Sequence, residues 1–215
     1  MASRISAARV VDKNIQTFDF MRQKVQIFFT TNPKLNSSIR PIIHSVKSRI
    51  KSSASIKKKL LRKNYQFASE QELLDQLTDI AGVRVIHYAP RQIIDIDAQI
   101  REQVAKGEWI LAEDPKAYTW DVEMKSVYES LKLKTEIKDS AYSSVHYLVK
   151  SNESGVICEI QVRNLFEEAW SEIDHMINYP EASKDFHQKE YLLVLSRLVS
   201  AASRLSDSIL TKRQK

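Results

Sequence analysis

The stretch Val156–Arg163 reads VICEIQVR, and its residue types could do chemistry. Side chains alternate across a strand, so Val156, Cys158, Ile160 and Val162 face one way. Ile157, Glu159, Gln161 and Arg163 face the other. A carboxylate, an amide and a guanidinium in register beside an apolar face make a wet row on a packed sheet. Alone, that is an ordinary amphipathic strand. A second carboxylate, Asp79 in TDIAGVRV, stands before Gly82 and another apolar run; alone, it is a cap or turn residue. If the two segments pair, Asp79 and Glu159 could share a hard cation. Magnesium suits such a pair, because it takes one or two carboxylates and completes its shell with substrate phosphates.

Phosphates need cations as well. From Lys47 to Lys63 there are eight Lys or Arg and no acidic residue. Most such runs are solvated helix faces. Here Ser55, Lys59 and Arg62 fall at helical spacing on one face, with Lys51 just before the first turn, and a helix N-terminus with forward-reaching lysines can cradle a triphosphate. Arg49 and Arg84 stand in extended stretches beside apolar residues, where a guanidinium could lie flat on a purine. In AYSSVHYLV, Tyr142 sits in the loop before a strand, free to stack on a base, while Tyr147 has core parity. His146 alone is more often a structural histidine than a ligand. There is neither an H-E-x-x-H or Cys/His zinc pattern nor a G-x-x-x-x-G-K-[ST] loop. Carboxylates plus a basic helix are the parts phosphoryl transfer requires, since that chemistry is mostly positioning and charge neutralisation.

The elements that must position these residues follow from periodicity. Ser6–Phe29 has helical spacing, with Val11, Ile15, Phe18, Val25 and Phe29 as packing positions. Thr30–Ser38 is a turn, with a second helix expected towards His44 and Val46. A helix capped by Ser52 or Ser53 runs to about Asn64, and Glu70–Leu77 is a short one. Val83–Tyr88, Val145–Lys150 and Val156–Arg163 are strands, the last two joined by the hairpin-type SNESG. Ile93–Ala105 is helical, and Gly107–Leu133 is ambiguous. Leu165–Tyr179 is a helix with Leu165, Ala169, Ile173 and Met176 as its buried stripe. Tyr191–Leu210 is a final helix with leucines, Val199 and Ala202 on one side. The pattern predicts an α/β or α+β fold, a small mixed sheet flanked by helices.

Composition sets the outer bounds. With 215 residues, 43% of them apolar, the chain can bury a full core. A formal charge of +6 suggests a polyanionic partner without choosing one. No apolar run spans a bilayer and the N-terminus has no secretory pattern, so no membrane partner is expected. The single cysteine, Cys158, suits a reducing compartment, and the expected location is cytoplasmic.

Four segments together, SRIKSSASIKKKLLRK, LTDIAGVRVI, AYSSVHYLV and CEIQVRNLFEEAWSEIDHMINYP, resemble the synthetase domain of the RelA/SpoT family in order and spacing. In length the chain resembles a small single-domain alarmone synthetase. The resemblance implies a nucleotidyltransferase-like core over 47–180, a helical region over 1–46 and a C-terminal helix over 181–215. It implies transfer of the β,γ-diphosphate of ATP to the 3'-hydroxyl of GDP or GTP, with Mg2+. By position, Arg49 and Arg84 match the arginines that sandwich adenine. Lys51, Ser55, Lys59 and Arg62 match positions near the ATP phosphates. Asp79 is similar to the magnesium aspartate, and Glu159 to the glutamate that binds metal or takes the 3'-hydroxyl proton. Tyr142 matches the guanine-stacking tyrosine; His146, Gln161 and Asn178 match residues around the acceptor. Glu168 and His175 lie near that side without an assigned role.

The chain also departs from the family. Ala141 replaces a glycine before Tyr142, Ser143 stands where many relatives carry Arg, and Pro180 where many carry Lys. These changes bear on the acceptor more than on the reaction. Two alternatives stand beside the first expectation: transfer to a tRNA 3' end, as in toxins of the same family, and a catalytically idle nucleotide- or RNA-binding module. Single-stranded RNA is a candidate regulator and a homotetramer a candidate assembly. The HD metal motif of the usual hydrolase domain is missing, Asp174–His175 being the reversed order inside a helix, so no alarmone hydrolysis is expected.

Overall fold

The computed structural model describes residues 7–63, 65, 67–138, 142–179 and 181–212. Ala141 and Pro180, two of the departures above, lie outside the described residues. The strands are β1 (Ile43–Ile50), β2 (Ala81–His87), β3 (Ile110–Leu111), β4 (Lys116–Thr119), β5 (Lys134–Ile137), β6 (Ser144–Lys150) and β7 (Ile157–Asn164). The helices are α1 (Ala7–Thr31), α2 (Ser53–Lys63), α3 (Glu70–Gln76), α4 (Ile93–Ala105), α5 (Val122–Ser130), α6 (Leu165–Asn178) and α7 (Phe186–Lys212). The strands form one sheet in the order β1-β2-β7-β6-β4-β5, with β3 also on β6. Pairs β2·β7 and β4·β5 are parallel and the others antiparallel, so the sheet is mixed and the fold is α+β.

One face of the sheet is dry. Val83 and Val85 of β2, Cys158, Ile160 and Val162 of β7, and Val145, Tyr147 and Val149 of β6 are all buried. Helix α1 packs on β1, β2 and β7 through Val10, Val11, Phe18, Met21, Val25 and Phe29, spaced to share one helical face. Burying a Phe18 or a Phe29 fully contributes about 1.5–3 kcal/mol. The hydroxyl of Tyr147, itself in the core, donates to Asp97 of α4 at 2.9 Å. The β6–β7 hairpin turns at Gly155, whose φ of 66° lies in the left-handed region that glycine tolerates.

Three expectations are corrected. The second helix near His44 and Val46 does not form; Ile43–Ile50 is the edge strand β1. Its sequence alternates, with Lys47 and Arg49 exposed and Val46, Ser48 and Ile50 half-buried, and pairing with β2 overrides any helical tendency. The apolar stripe assigned to α6 is not buried either: Ile173 is 40% and Met176 78% exposed, while Glu168 and Trp170 are buried. Glu168 is drawn inward by cations, and Trp170 Nε1 donates to the Leu192 carbonyl of α7 at 3.0 Å. In α7, Leu192, Ser196 and Ser203 are buried, whereas Leu198 and Leu205 are more than 60% exposed. The small serines let α7 approach closely, and Asn164 Nδ2 donates to Ser203 Oγ at 2.9 Å. The ambiguous Gly107–Leu133 stretch contains β3, β4 and α5.

The start of α6 explains why β7 ends where it does. Asn164 caps the helix, its Oδ1 accepting from the backbone N–H of Phe166 and Glu167 at 3.0 Å. Glu167 reaches back to the Asn164 N–H at 2.9 Å, completing a capping box. The wet row of β7 therefore runs directly into a helix with a fixed entry angle. Among the described residues no helix is long and apolar enough to cross a membrane.

His87, at the end of β2, is buried, and its Nδ1–H donates to the Ala89 carbonyl at 2.9 Å. Burial pushes its imidazole down to about 4, against the Ala89 hydrogen bond. The unfolded chain takes up this proton near pH 6.5 while the folded chain resists it until about pH 4. Stability is therefore lost as pH falls through that window, by up to about 3 kcal/mol. Denaturant titrations at stepped pH should show the slope, and His87→Gln should flatten it.

Candidate functional site

The face of the sheet opposite α1 is wet, and strand register assembles it in rows. Gly82 of β2 lies between Arg49 of β1 and Glu159 of β7. One step along, Arg84 lies between Lys47 and Gln161, and Gln161 pairs with His146 of β6. Helix α6 overhangs this face and bounds a cleft of about 420 Å³, with Asp79, Tyr142 and Arg163 on its walls. Gly82 leaves its floor open, because a Cβ added there would meet nothing within 4 Å.

Asp79 sits in the turn just before β2, half-buried. Lys51 Nζ donates to its Oδ2 at 2.8 Å, and Lys59 Nζ donates to its Oδ1. Lys59 is itself 8% exposed, so α2 delivers a desolvated ammonium to the site. Burial raises the Asp79 pKa, but the hydrogen bonds and charges of the two lysines outweigh it and hold the carboxyl below its usual range. Glu159 follows the same logic with different partners. Its burial raises the pKa; the bond from His146 and the bond from Gln161 bring the net below the ordinary value. His146 Nδ1 lies 3.1 Å from Glu159 Oε1, and Gln161 Nε2 donates to Oε2 at 2.9 Å. Both groups are thus carboxylates at neutral pH.

The two carboxylates face the same cleft, and the charge of Asp79 opposes ionisation of Glu159, which places them within each other's field. A hard divalent ion fits this donor set: two ionised carboxylates, an open floor at Gly82, and lysines beside them for anionic ligands. Among the described residues no group of three or more His, Cys, Asp or Glu converges as a complete metal cage.

The far wall is built on a buried charge cluster. Glu168 of α6, 4% exposed, accepts from Lys47 Nζ at 2.9 Å, Arg84 Nη1 at 2.9 Å and Arg163 Nη1 at 3.5 Å. Burial raises its pKa, and the Lys47 and Arg84 bonds turn the net shift downward. Arg84 also donates to Glu172 Oε1 at 2.6 Å. Tyr142, in the loop before β6, accepts from Arg163 Nη2 at 2.6 Å and lies 3.1 Å from His146 Nε2. Tyr118 packs edge-on against the His146 ring at 5.0 Å between centroids.

The pattern of the region found in RelA/SpoT proteins matches residues 48–184, more than half of the chain. The chain belongs to the RelA/SpoT family. It is 29% identical over 173 residues to the GTP pyrophosphokinase YjbM of Bacillus subtilis (strain 168), covering 78% of this chain and 70% of that protein. Against the GTP pyrophosphokinase YwaC of the same organism the identity is 29% over 144 residues, 65% of this chain and 59% of that one. Small alarmone synthetase 1 from Bacillus subtilis, solved with its product pppGpp, is similar in fold with a TM-score of 0.63. Its sequence is 24% identical, and the match covers 96% of this chain and 95% of that one.

In this RelA/SpoT chain, Arg49, Asp79, Arg84, Tyr142, Glu159 and Gln161 line one cleft. Lys51 and Lys59 join it through Asp79, and His146 through Glu159 and Tyr142. Ser55, Arg62 and Asn178 do not line it. Ser55 hydrogen-bonds to Ser52 in the first turn of α2, Arg62 is exposed in the last turn, and Asn178 donates to Asp174 at 2.8 Å. Sequence reasoning gave no role to Arg163, Glu168 or Glu172. Arg163 was within reach, since it shares strand parity with Glu159; the acids of α6 could be found only in three dimensions.

Gly82→Val tests the open floor. Its β-branched side chain suits a strand, so Tm should hold or rise. The added methyls enter the cleft between Arg49 and Glu159, and affinity for a non-hydrolysable ATP analogue, read by calorimetry, should fall at least about tenfold.

Proposed function

We propose that the chain is a magnesium-dependent (p)ppGpp synthetase that transfers diphosphate from ATP to the 3'-hydroxyl of GDP or GTP. The observation that carries this reading is the pair of ionised carboxylates, Asp79 and Glu159, in one cleft between lysines and stacking side chains. The printed names of the relatives support the same activity.

The geometry supports the following roles. Lys51 and Lys59 are positioned to meet the donor's phosphates as they meet Asp79 now, and Arg49 and Arg84 flank the place for its adenine. The ring of Tyr142 offers a face for the acceptor base, distant from Arg49 in sequence but in the same cleft. Glu159 faces the acceptor hydroxyl. The new bond joins the acceptor's 3'-oxygen to the β-phosphorus of ATP; the bond from that phosphorus to the α–β bridging oxygen breaks, and AMP leaves. The hydroxyl proton passes to a carboxylate oxygen of Glu159 as the bond forms, because a carboxylate with a lowered pKa takes a proton only from a hydroxyl already becoming acidic. Asp79 and Glu159 would hold Mg2+, which neutralises phosphate charge. We assign the enzyme to the cytoplasm, where these nucleotides are its partners.

Glu159→Gln keeps the shape and an acceptor for Gln161, so it should melt normally yet lose at least about 100-fold in turnover, the usual scale for an acid–base group. Near-normal turnover would remove Glu159 from the chemistry. Asp79→Asn should lose activity together with its magnesium dependence, followed by titrating Mg2+ against initial rate. Chromatographic separation of products from labelled ATP with GDP, GTP, ATP or tRNA as acceptor tests the reaction. Label appearing only on tRNA would replace the alarmone assignment with the tRNA one, and no labelled acceptor at all would leave a binding module.

A further inference from the structure

Arg163 stands in the same wet row as Glu159 and Gln161, yet it is 4% exposed. Its guanidinium forks between two sides of the cleft. Nη2 donates to the Tyr142 hydroxyl at 2.6 Å and to Gln161 Oε1 at 3.3 Å. Nη1 donates to Ser171 Oγ at 2.7 Å and to Glu168 Oε2 at 3.5 Å. The guanidinium carbon lies 4.9 Å from the centroid of the Tyr142 ring. Its Nε is buried with no partner among the described residues.

As a device for stability alone this is a poor arrangement. A buried cation is desolvated, its ion pair with Glu168 sits at the long end of ion-pair distance, and one N–H is left unsatisfied among the described residues. A well-packed apolar side chain would do as well or better. What the fork does achieve is geometric. It ties the loop tyrosine and the strand amide to α6 with two rigid, coplanar donor edges, which a lysine cannot reproduce. The effect extends further through a continuous run of polar contacts. Arg163 Nη2 donates to the Tyr142 oxygen, that oxygen lies 3.1 Å from His146 Nε2, and His146 Nδ1 lies 3.1 Å from Glu159 Oε1.

We infer that Arg163 is a positioning residue for the acceptor: it sets the ring plane of Tyr142 and the amide of Gln161, and through Tyr142 and His146 it orients the Glu159 carboxylate. This rests on the reading of Tyr142 as the acceptor-stacking residue. Arg163 itself does not touch the reacting atoms.

The test is a double-mutant cycle on the full chain, with steady-state kinetics in acceptor at saturating ATP and a thermal melt of each protein. Arg163→Lys should raise the acceptor KM about tenfold or more, the scale of one lost charge-assisted hydrogen bond, with kcat falling less than KM rises. Tyr142→Phe keeps the ring and loses only the tethered oxygen, so it should move the acceptor KM in the same direction. The double variant should be no worse than the worse single, because both remove one interaction. Should Arg163→Lys fail to fold, Tyr142→Phe still decides the matter. An unchanged acceptor KM in Tyr142→Phe, or additive effects in the cycle, overturns the positioning role. Tyr142→Leu separates the two ideas. If it raises acceptor KM while Tyr142→Phe and Arg163→Lys do not, the stacking role stands and the Arg163 role falls. If Tyr142→Leu leaves acceptor KM unchanged, the stacking role itself is wrong.

Discussion

The parallel pairing of β2 with β7 is the constraint from which the cleft follows. It sets Gly82 beside Glu159 and Arg84 beside Gln161, and it brings the turn that carries Asp79 to the mouth of the same face. The register is held from the other side of the sheet, where Val83, Val85, Cys158, Ile160 and Val162 pack beneath α1. A slip of one residue would exchange the faces of β7, driving Glu159 into the apolar layer and Ile160 into the cleft. The dry layer and the wet layer are thus one decision of the backbone. Hydrophobic burial, which is non-directional, becomes a device for aiming charged groups.

Those charged groups are kept ionised by company rather than by exposure. Asp79 has two ammoniums, Glu159 an imidazole and an amide, and Glu168 two guanidiniums and an ammonium. In each case burial alone would raise the pKa, and in each case the partners win. Removing one partner from such a pair leaves a desolvated charge, which costs more than the pair contributes. The same trade explains α6, whose acids point to the sheet while Met176 faces solvent. Ion pairing to strands at the cleft outweighs the modest gain of covering one helix stripe.

Periodic segments were legible in the sequence. The limits of α4 and the cores of β2, β6 and β7 follow from spacings of 3.6 and 2, and Asp79, Glu159 and Gln161 follow from parity plus the family motifs. Edge strand β1 was not legible, because a short alternating run with two lysine or arginine side chains carries a weak signal until β2 lies beside it. The stripes of α6 and α7 were misjudged for a different reason: apolar character was equated with burial, whereas much of any protein surface is apolar. Serines at 196 and 203 decide the packing of α7 by being small. The role of Glu168 depends on Lys47 and Arg84, 121 and 84 residues away in the chain, and no local pattern holds that information. Ser55, Arg62 and Asn178 matched by position, but their side chains lie outside the cleft walls.

The grip of Lys51 and Lys59 on Asp79 has a thermodynamic consequence. A carboxylate already neutralised by two ammoniums is a weak lure for a free dication, which would have to be seated against both positive charges. A polyphosphate bound here would change this, since its oxygens would compete for the same ammoniums and release the carboxylate. A nucleotide and a dication sharing this place would then strengthen each other's occupancy by an equal factor, as linkage demands. Lys51, Lys59 and Asp79 are matched to one another, and two ligands of opposite charge arriving together would part them.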